Sequence, residues 1–251
     1  MVDRSERETN DETADFYRVL FSRRDVRGQF LPDPVDPAAL ARILLAAHHA
    51  PSVGLSQPWN FILVRDRAVR TRVHQAFCEA RAGEEALFEG KHRAAYRDLK
   101  LEGILDAPLN ICVTCDRGRD GPVVLGRTRQ PDTDLYSSAC AVQNLWLAAR
   151  AEGLGVGWVS IVEPARLVDI LGLPEQVVPL AYLCIGHVAW FHERPELEVK
   201  GWRRRLPVAE LVFSDTWGQS DGDDDLRAAL AALADWPASA VAESSSWPPA
   251  S

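Results

Sequence analysis

Apolar positions recur along this chain in stretches whose period changes, and the changes mark out alternating helices and strands. After Asp36-Pro37, a cap followed by a proline at the first helical position, Leu40, Ile43, Leu44 and Ala47 return at helical spacing until Pro51 stops the helix. Phe61-Ile62-Leu63-Val64 is a continuous apolar run of strand length. Asp66 opens a second helix that carries Val69, Val73, Ala76, Phe77 and Ala80 on one face. Residues 82–90 break that pattern, and residues 92–105 resume a more polar helix. Residues 109–115 predict a strand and 118–133 a long loop. The most apolar helix is expected over 135–151, with Leu135, Val142, Leu145, Trp146 and Ala149 in register. A strand at 156–161, a short helix at 164–171 ended by Gly172, and a last core strand at 180–185 follow. Residues 189–207 are rich in Pro, Trp and Arg without a clear period. Mixed strands with intervening helices predict an α+β layered domain.

The two ends differ from this middle. Residues 1–15 are polar and charged and read as a flexible N-terminal arm, leaving 16–217 as the folded domain. Residues 218–251 are rich in Ser, Asp, Ala and Pro and read as a mobile tail with a short helix at 226–233. At 251 residues and 47% hydrophobic content the chain can bury its own core. A formal charge of −8 removes the electrostatic footprint of a nucleic-acid binder. No apolar stretch reaches membrane length, the start Met1-Val2-Asp3-Arg4-Ser5-Glu6 lacks the core of a signal peptide, and five cysteines show no framework spacing. These features predict a soluble cytoplasmic protein. Cys112-Val113-Thr114-Cys115 lies within a strand, where positions three apart face opposite ways, so core cysteines are expected and no metal site.

Against the acidic background, guanidinium groups cluster at Arg23-Arg24-Asp25-Val26-Arg27 and again at Trp202-Arg203-Arg204-Arg205-Leu206-Pro207. Arginine is the side chain best shaped for phosphate. Between the clusters, Pro51-Ser52-Val53-Gly54-Leu55-Ser56-Gln57-Pro58-Trp59 offers a polar turn and an aromatic, suited to a flat hydrogen-bonding ring. No G-x-G-x-x-G follows a strand, and Gly153-Leu154-Gly155-Val156-Gly157 leaves a helix to enter a strand, the reverse of an anion site at a helix start. A dinucleotide-binding parallel sheet is therefore not expected. Each candidate also has a plainer reading. The arginine pair suits a solvated basic loop, and Asp25 suits either an ion pair with Arg24 or Arg27 or a general base kept ionised by those cations. Ser52 and Gln57 suit ligand contacts or turn chemistry. Alternation puts Ser160 on one strand face with Trp158, as a ligand contact or as a serine satisfied by backbone.

Taken in order and spacing, these segments resemble the nitroreductase family of FMN proteins over residues 16–211, and most closely its 5,6-dimethylbenzimidazole synthase branch. The resemblance implies a nitroreductase-like α+β fold, with a central, mainly antiparallel sheet flanked by helices. It also implies a homodimer joined by long helices, of which 135–151 is the candidate, with FMN at the interface. Carried onto this sequence, the cofactor-binding residues are Arg23, Arg24, Asp25, Val26, Arg27, Ser52, Gln57, Ser160, Arg203 and Arg205. Asp25 stands where ordinary nitroreductases carry Ser, and Leu55 where they carry Asn; both match the synthase branch. That branch implies Asp25 and Ser160 as catalytic residues, the first a base toward the ribityl chain and the second a donor near flavin N5. The implied activity is oxygen-dependent fragmentation of reduced FMN to 5,6-dimethylbenzimidazole, the lower ligand of cobalamin, and D-erythrose 4-phosphate. O2 is then co-substrate, a separate flavin reductase supplies reduced FMN from NAD(P)H, and residues 82–105 are a candidate cover. An NAD(P)H-dependent FMN nitro- or quinone reductase and a non-catalytic flavin carrier remain open alternatives.

Overall fold

The two aspartates expected to open helices do so by accepting backbone N–H bonds: Asp36 from Ala39 at 3.0 Å and Asp66 from Ala68 at 2.6 Å. Each such cap stabilises its helix by about 1 kcal/mol. The computed structural model describes residues 4–219 and 224–242. In chain order the elements are α1 (Arg4–Ser22), α2 (Pro37–His48), β1 (Trp59–Val64), α3 (Arg67–Glu85), α4 (Gly90–Arg97), β2 (Leu109–Asp116), α5 (Thr133–Ala151), β3 (Gly155–Val159), α6 (Pro164–Leu171), β4 (Val177–Gly186), α7 (Glu196–Val199), α8 (Asp224–Ala232) and α9 (Trp236–Ala242). Short 3-10 turns occupy Val53–Leu55 and Val208–Leu211.

The chain divides into two units. The larger, residues 24–192, is built on a four-stranded sheet of order β1-β2-β4-β3 whose neighbours all run antiparallel. Alternation along β2 feeds two cores. Ile111 and Val113 join Leu40, Ile43, Val142 and Leu145 beneath α2 and α5. Cys112 joins Val73, Phe77, Leu167 and Tyr182 beneath α3 and α6. Sheet and helices thus form the expected α+β layers. α5 is less apolar than α2, contrary to expectation, yet it buries the most residues of the described helices because it covers the sheet on one side and meets α2 on another. Its remaining stripe, Tyr136, Ala139, Cys140 and Gln143, is exposed.

Cys112 and Cys115 are both fully buried, as core cysteines should be, and burial pushes the Cys112 thiol up to about 12. Three boundaries differ from the sequence pattern. The helix expected over 92–105 ends at Arg97. Beyond it the buried Glu102 accepts the Ile104 N–H at 2.7 Å, and Gly103 lies so close to Arg27 and Phe30 that an added Cβ would meet either at 2.6 Å. The strand expected to reach 161 ends at Val159. The last strand starts earlier than expected, at Val177, with Pro179 where the β2–β4 register shifts. A proline there removes a ladder donor and hides the strand from its own sequence.

The smaller unit takes residues 1–23 and 193–251. Trp236 of α9 packs on Tyr17 and Phe21 of α1, with ring centroids 4.7 and 5.2 Å apart. Arg227 of α8 donates to the carbonyls of Ala209 and Val212, each at 2.9 Å. The segment read as an arm is thus helical from Arg4, and the segment read as a tail carries α8 and α9. Residues 1–3, 220–223 and 243–251 of those two segments lie outside the described residues. Among the described residues, no helix is long and apolar enough to cross a membrane.

Candidate functional site

Asp25 is fixed at the free edge of β3. Val26 N donates to Val156 O at 3.0 Å, and the next rung is made by a side chain: Asp25 Oδ1 accepts the Trp158 N–H at 2.9 Å. The other carboxylate oxygen pairs with Arg27 Nη2 at 2.5 Å, while Arg27 Nη1 donates to Lys100 O at 3.3 Å. The ion pair foreseen with Arg24 or Arg27 is therefore formed with Arg27. Glycine is required under this segment, since a Cβ on Gly157 would stand 1.9 Å from Val26 O. The glycine run at 153–157 serves close backbone approach and not a phosphate loop. Ser160 follows β3 by one residue and is exposed.

Arg24 accepts a bond from Trp146 Nε1 on its carbonyl, at 3.3 Å. Its side chain acts on Arg150, a buried residue at the end of α5 that sequence reasoning missed. Burial, reinforced by Arg24, brings the Arg150 guanidinium down to about 10, and its carbon lies 3.8 Å from the Phe191 ring centroid. The one clue in the sequence was a basic residue in the last turn of a helix read as largely apolar.

Ser52 closes the turn before β1, accepting the Gln57 N–H on Oγ at 3.1 Å. Its turn role is real, whatever else it touches. Gly54, Leu55 and Gln57 all lie in the left-handed region, with φ of 56°, 55° and 46°. Arg119, also missed, donates to Gln57 O at 2.6 Å, Trp59 O at 3.1 Å and Asn60 Oδ1 at 2.6 Å. Leu55 points outward, 76% exposed.

Asp25 and Ser160 are brought to one strand edge; Ser52 and Gln57 are not brought to it within one chain. Trp59 pairs with Cys115 at one end of the sheet, Val159 pairs with Tyr182 in the row that runs through Cys112 to Ile62, and β2 and β4 stand between β1 and β3. Three interstrand spacings alone separate the two groups by more than about 14 Å. Arg23, Arg203 and Arg205 belong to the smaller unit. There Arg203, Arg204 and Arg205 are exposed, and none forms an ion pair among the described residues. Three unneutralised guanidiniums in succession fit the phosphate of FMN, and the outward hydroxyl of Ser160 fits a polar ring. A cleft of about 600 Å³ under the 118–133 loop is a different feature. Its arginines are already engaged, Arg117 with Asp132 and Asp134, and Arg127 with Asp134.

A sequence profile described as the Nitroreductase family matches residues 20–187. A 5,6-dimethylbenzimidazole synthase of Rhodospirillum rubrum is 46% identical over 185 residues, spanning 74% of this chain and 87% of its own. Another, from Rhodobacter capsulatus, is 41% identical over 190 residues, 76% of this chain and 91% of its own. In structure the chain is similar to iodotyrosine deiodinase bound to FMN and 3-iodo-L-tyrosine. The TM-score is 0.64 at 18% identity, covering 80% of this chain and 100% of that one.

Proposed function

The chain belongs to the nitroreductase family, and from that premise we propose that it is a homodimeric 5,6-dimethylbenzimidazole synthase. It converts reduced FMN and O2 to 5,6-dimethylbenzimidazole, D-erythrose 4-phosphate and a four-carbon pyrimidine fragment that carries the remaining ring atoms and the oxygen. The match to relatives of that name over 87% and 91% of their length carries this reading. Reduced flavin, when bound, supplies the electrons that activate oxygen. The protein's residues then have separable tasks. Arg23, Arg203 and Arg205 hold the phosphate. Asp25 Oδ2, paired with Arg27 Nη2 at 2.5 Å, takes a proton from the ribityl chain, and Trp158 N–H fixes its other oxygen. Ser160 Oγ donates to the ring, and residues 82–105 keep water out. These roles belong to residues 16–217, with 1–15 and 218–251 flanking them.

Two observations support a dimer with a shared site. The ring-side turn and the Asp25 edge stand on opposite sides of one sheet, so a second copy brings its turn to the first copy's Asp25. Leu55, Val123, Leu125 and Tyr136 are also left 62–85% exposed, as large apolar side chains are where an interface will cover them. The protein is cytoplasmic in this reading and receives reduced FMN from a separate flavin reductase. Product analysis after air is admitted to protein and reduced FMN tests the proposal. Benzimidazole supports it, and intact flavin alone leaves a reductase or a carrier.

A further inference from the structure

We propose that Arg119 is a positioning residue that holds the 52–59 turn in its ligand-binding form, an inference resting on the flavin reading above. Three of the four residues from Gly54 to Gln57 have positive φ, and two of them, Leu55 and Gln57, carry side chains. Such residues cost of order 1–3 kcal/mol each and persist only where their surroundings over-determine them. Within the turn, Leu55 N donates to Ser52 O at 3.1 Å and Ser56 N to Val53 O at 3.0 Å. Ser52 Oγ accepts from Gln57 N, and Ser137 Oγ accepts from Val53 N at 3.0 Å. The 118–133 loop closes over Gly54, where a Cβ would meet Val124 at 2.9 Å.

Arg119 adds a hold at the end of the turn that leads into β1. One guanidinium grips two main-chain carbonyls and the Asn60 amide, with Asp116 Oδ2 at 3.8 Å behind it. Asp116 N in turn donates to Pro58 O at 2.7 Å. Nη1 donates to both carbonyls of the bent chain while Nη2 donates to Asn60 Oδ1 and faces Asp116, a two-nitrogen reach that a single ammonium group does not reproduce. Gln57, one of the two strained residues, is the one whose carbonyl is held most closely. Arg119 therefore touches no ligand; it fixes the conformation that presents Ser52 and Leu55, and part of the flavin affinity is preorganisation of that turn.

The experiment combines two readouts, each on wild type, Arg119→Gln, Arg119→Lys, Leu55→Gly and the double variant Arg119→Gln/Leu55→Gly. Anaerobic titration gives reduced-FMN affinity, and hydrogen exchange of the flavin-free protein reports on the amides of residues 53–57. Loss of Arg119 should weaken reduced FMN by roughly 10- to 100-fold, the scale of charge-assisted hydrogen bonds. Product formation at saturation should stay within about threefold, a KM-type and not a kcat-type effect. Exchange at 53–57 should quicken without flavin present. Glycine adopts positive φ freely, so the Arg119→Gln penalty should shrink in the Leu55→Gly background. Arg119→Lys keeps the charge beside Asp116 and guards against misfolding; it should fall between wild type and Arg119→Gln. Unchanged affinity and exchange, or strictly additive penalties in the cycle, would reduce Arg119 to a loop anchor. Wild type that binds no reduced FMN would instead remove the flavin reading itself.

Discussion

Asp25 completes the hydrogen-bond ladder of β3 with its side chain, Oδ1 accepting from Trp158 N–H at 2.9 Å where a neighbouring strand would use a carbonyl. This bond separates substitutions that look alike on paper. Asp25→Asn keeps an oxygen for Trp158 N–H and loses only the charge and the base. It should still bind reduced FMN yet form product at least about 100-fold more slowly, the usual scale for a lost general base. Product yield at saturating reduced FMN checks this, and a normal yield would leave Asp25 as the partner of Arg27.

Ser160 stands exposed one residue past β3. Ser160→Ala should bind reduced FMN but return more of it as intact oxidised flavin with peroxide. The ratio of benzimidazole formed to flavin consumed measures this, and a wild-type ratio would make the hydroxyl dispensable.

Arg203→Ala and Arg205→Ala should each weaken reduced FMN by roughly 1.5–3 kcal/mol, as for a charge-assisted hydrogen bond. Riboflavin, which lacks the phosphate, should bind wild type poorly. Equal wild-type affinity for riboflavin and FMN would take the phosphate away from these arginines.

Gly157→Ala drives a Cβ to 1.9 Å from Val26 O and should lower stability by at least about 2 kcal/mol, because backbone must move. Gly83 lies in α3 with nothing within 4 Å, so Gly83→Ala should instead raise stability by about 0.5–1 kcal/mol. Thermal unfolding of the pair, with opposite signs expected, tests whether β3 is pressed against the Asp25 segment.

Thiol labelling at pH 8 reports on α5. Cys112, Cys115 and Cys184 are buried, and burial raises the thiols of all three, so they should react only on unfolding. Cys78 is exposed and should react at once. Cys140, on the open stripe of α5, should be protected in the dimer and react on dissociation. Two fast thiols in protein that sediments as a dimer would place the interface elsewhere.

The sequence showed what repeats. Helical and strand periods located α2, α3, α5, α6 and the cores because burial follows those periods, and capping aspartates marked two helix starts to the residue. It hid α1, whose first residues are almost all polar and whose aromatic stripe finds Trp236 more than two hundred residues later. Residues 98–105 were misread as helix because the reasons against one are a buried Glu102 bond and the approach of Arg27 to Gly103, both tertiary. Asp25, Ser52 and Ser160 were legible as motif positions. Arg119 was not, because its role lies in main-chain carbonyls about sixty residues away and in backbone angles that no spacing announces.

The central claim is that this protein consumes its flavin. The direct measurement is a single turnover: protein loaded with anaerobically reduced FMN, exposed to air, then quenched for mass spectrometry of flavin, benzimidazole and sugar phosphate. Each FMN lost should appear as one 5,6-dimethylbenzimidazole and one D-erythrose 4-phosphate. Quantitative recovery of oxidised FMN, with neither product formed, would contradict it.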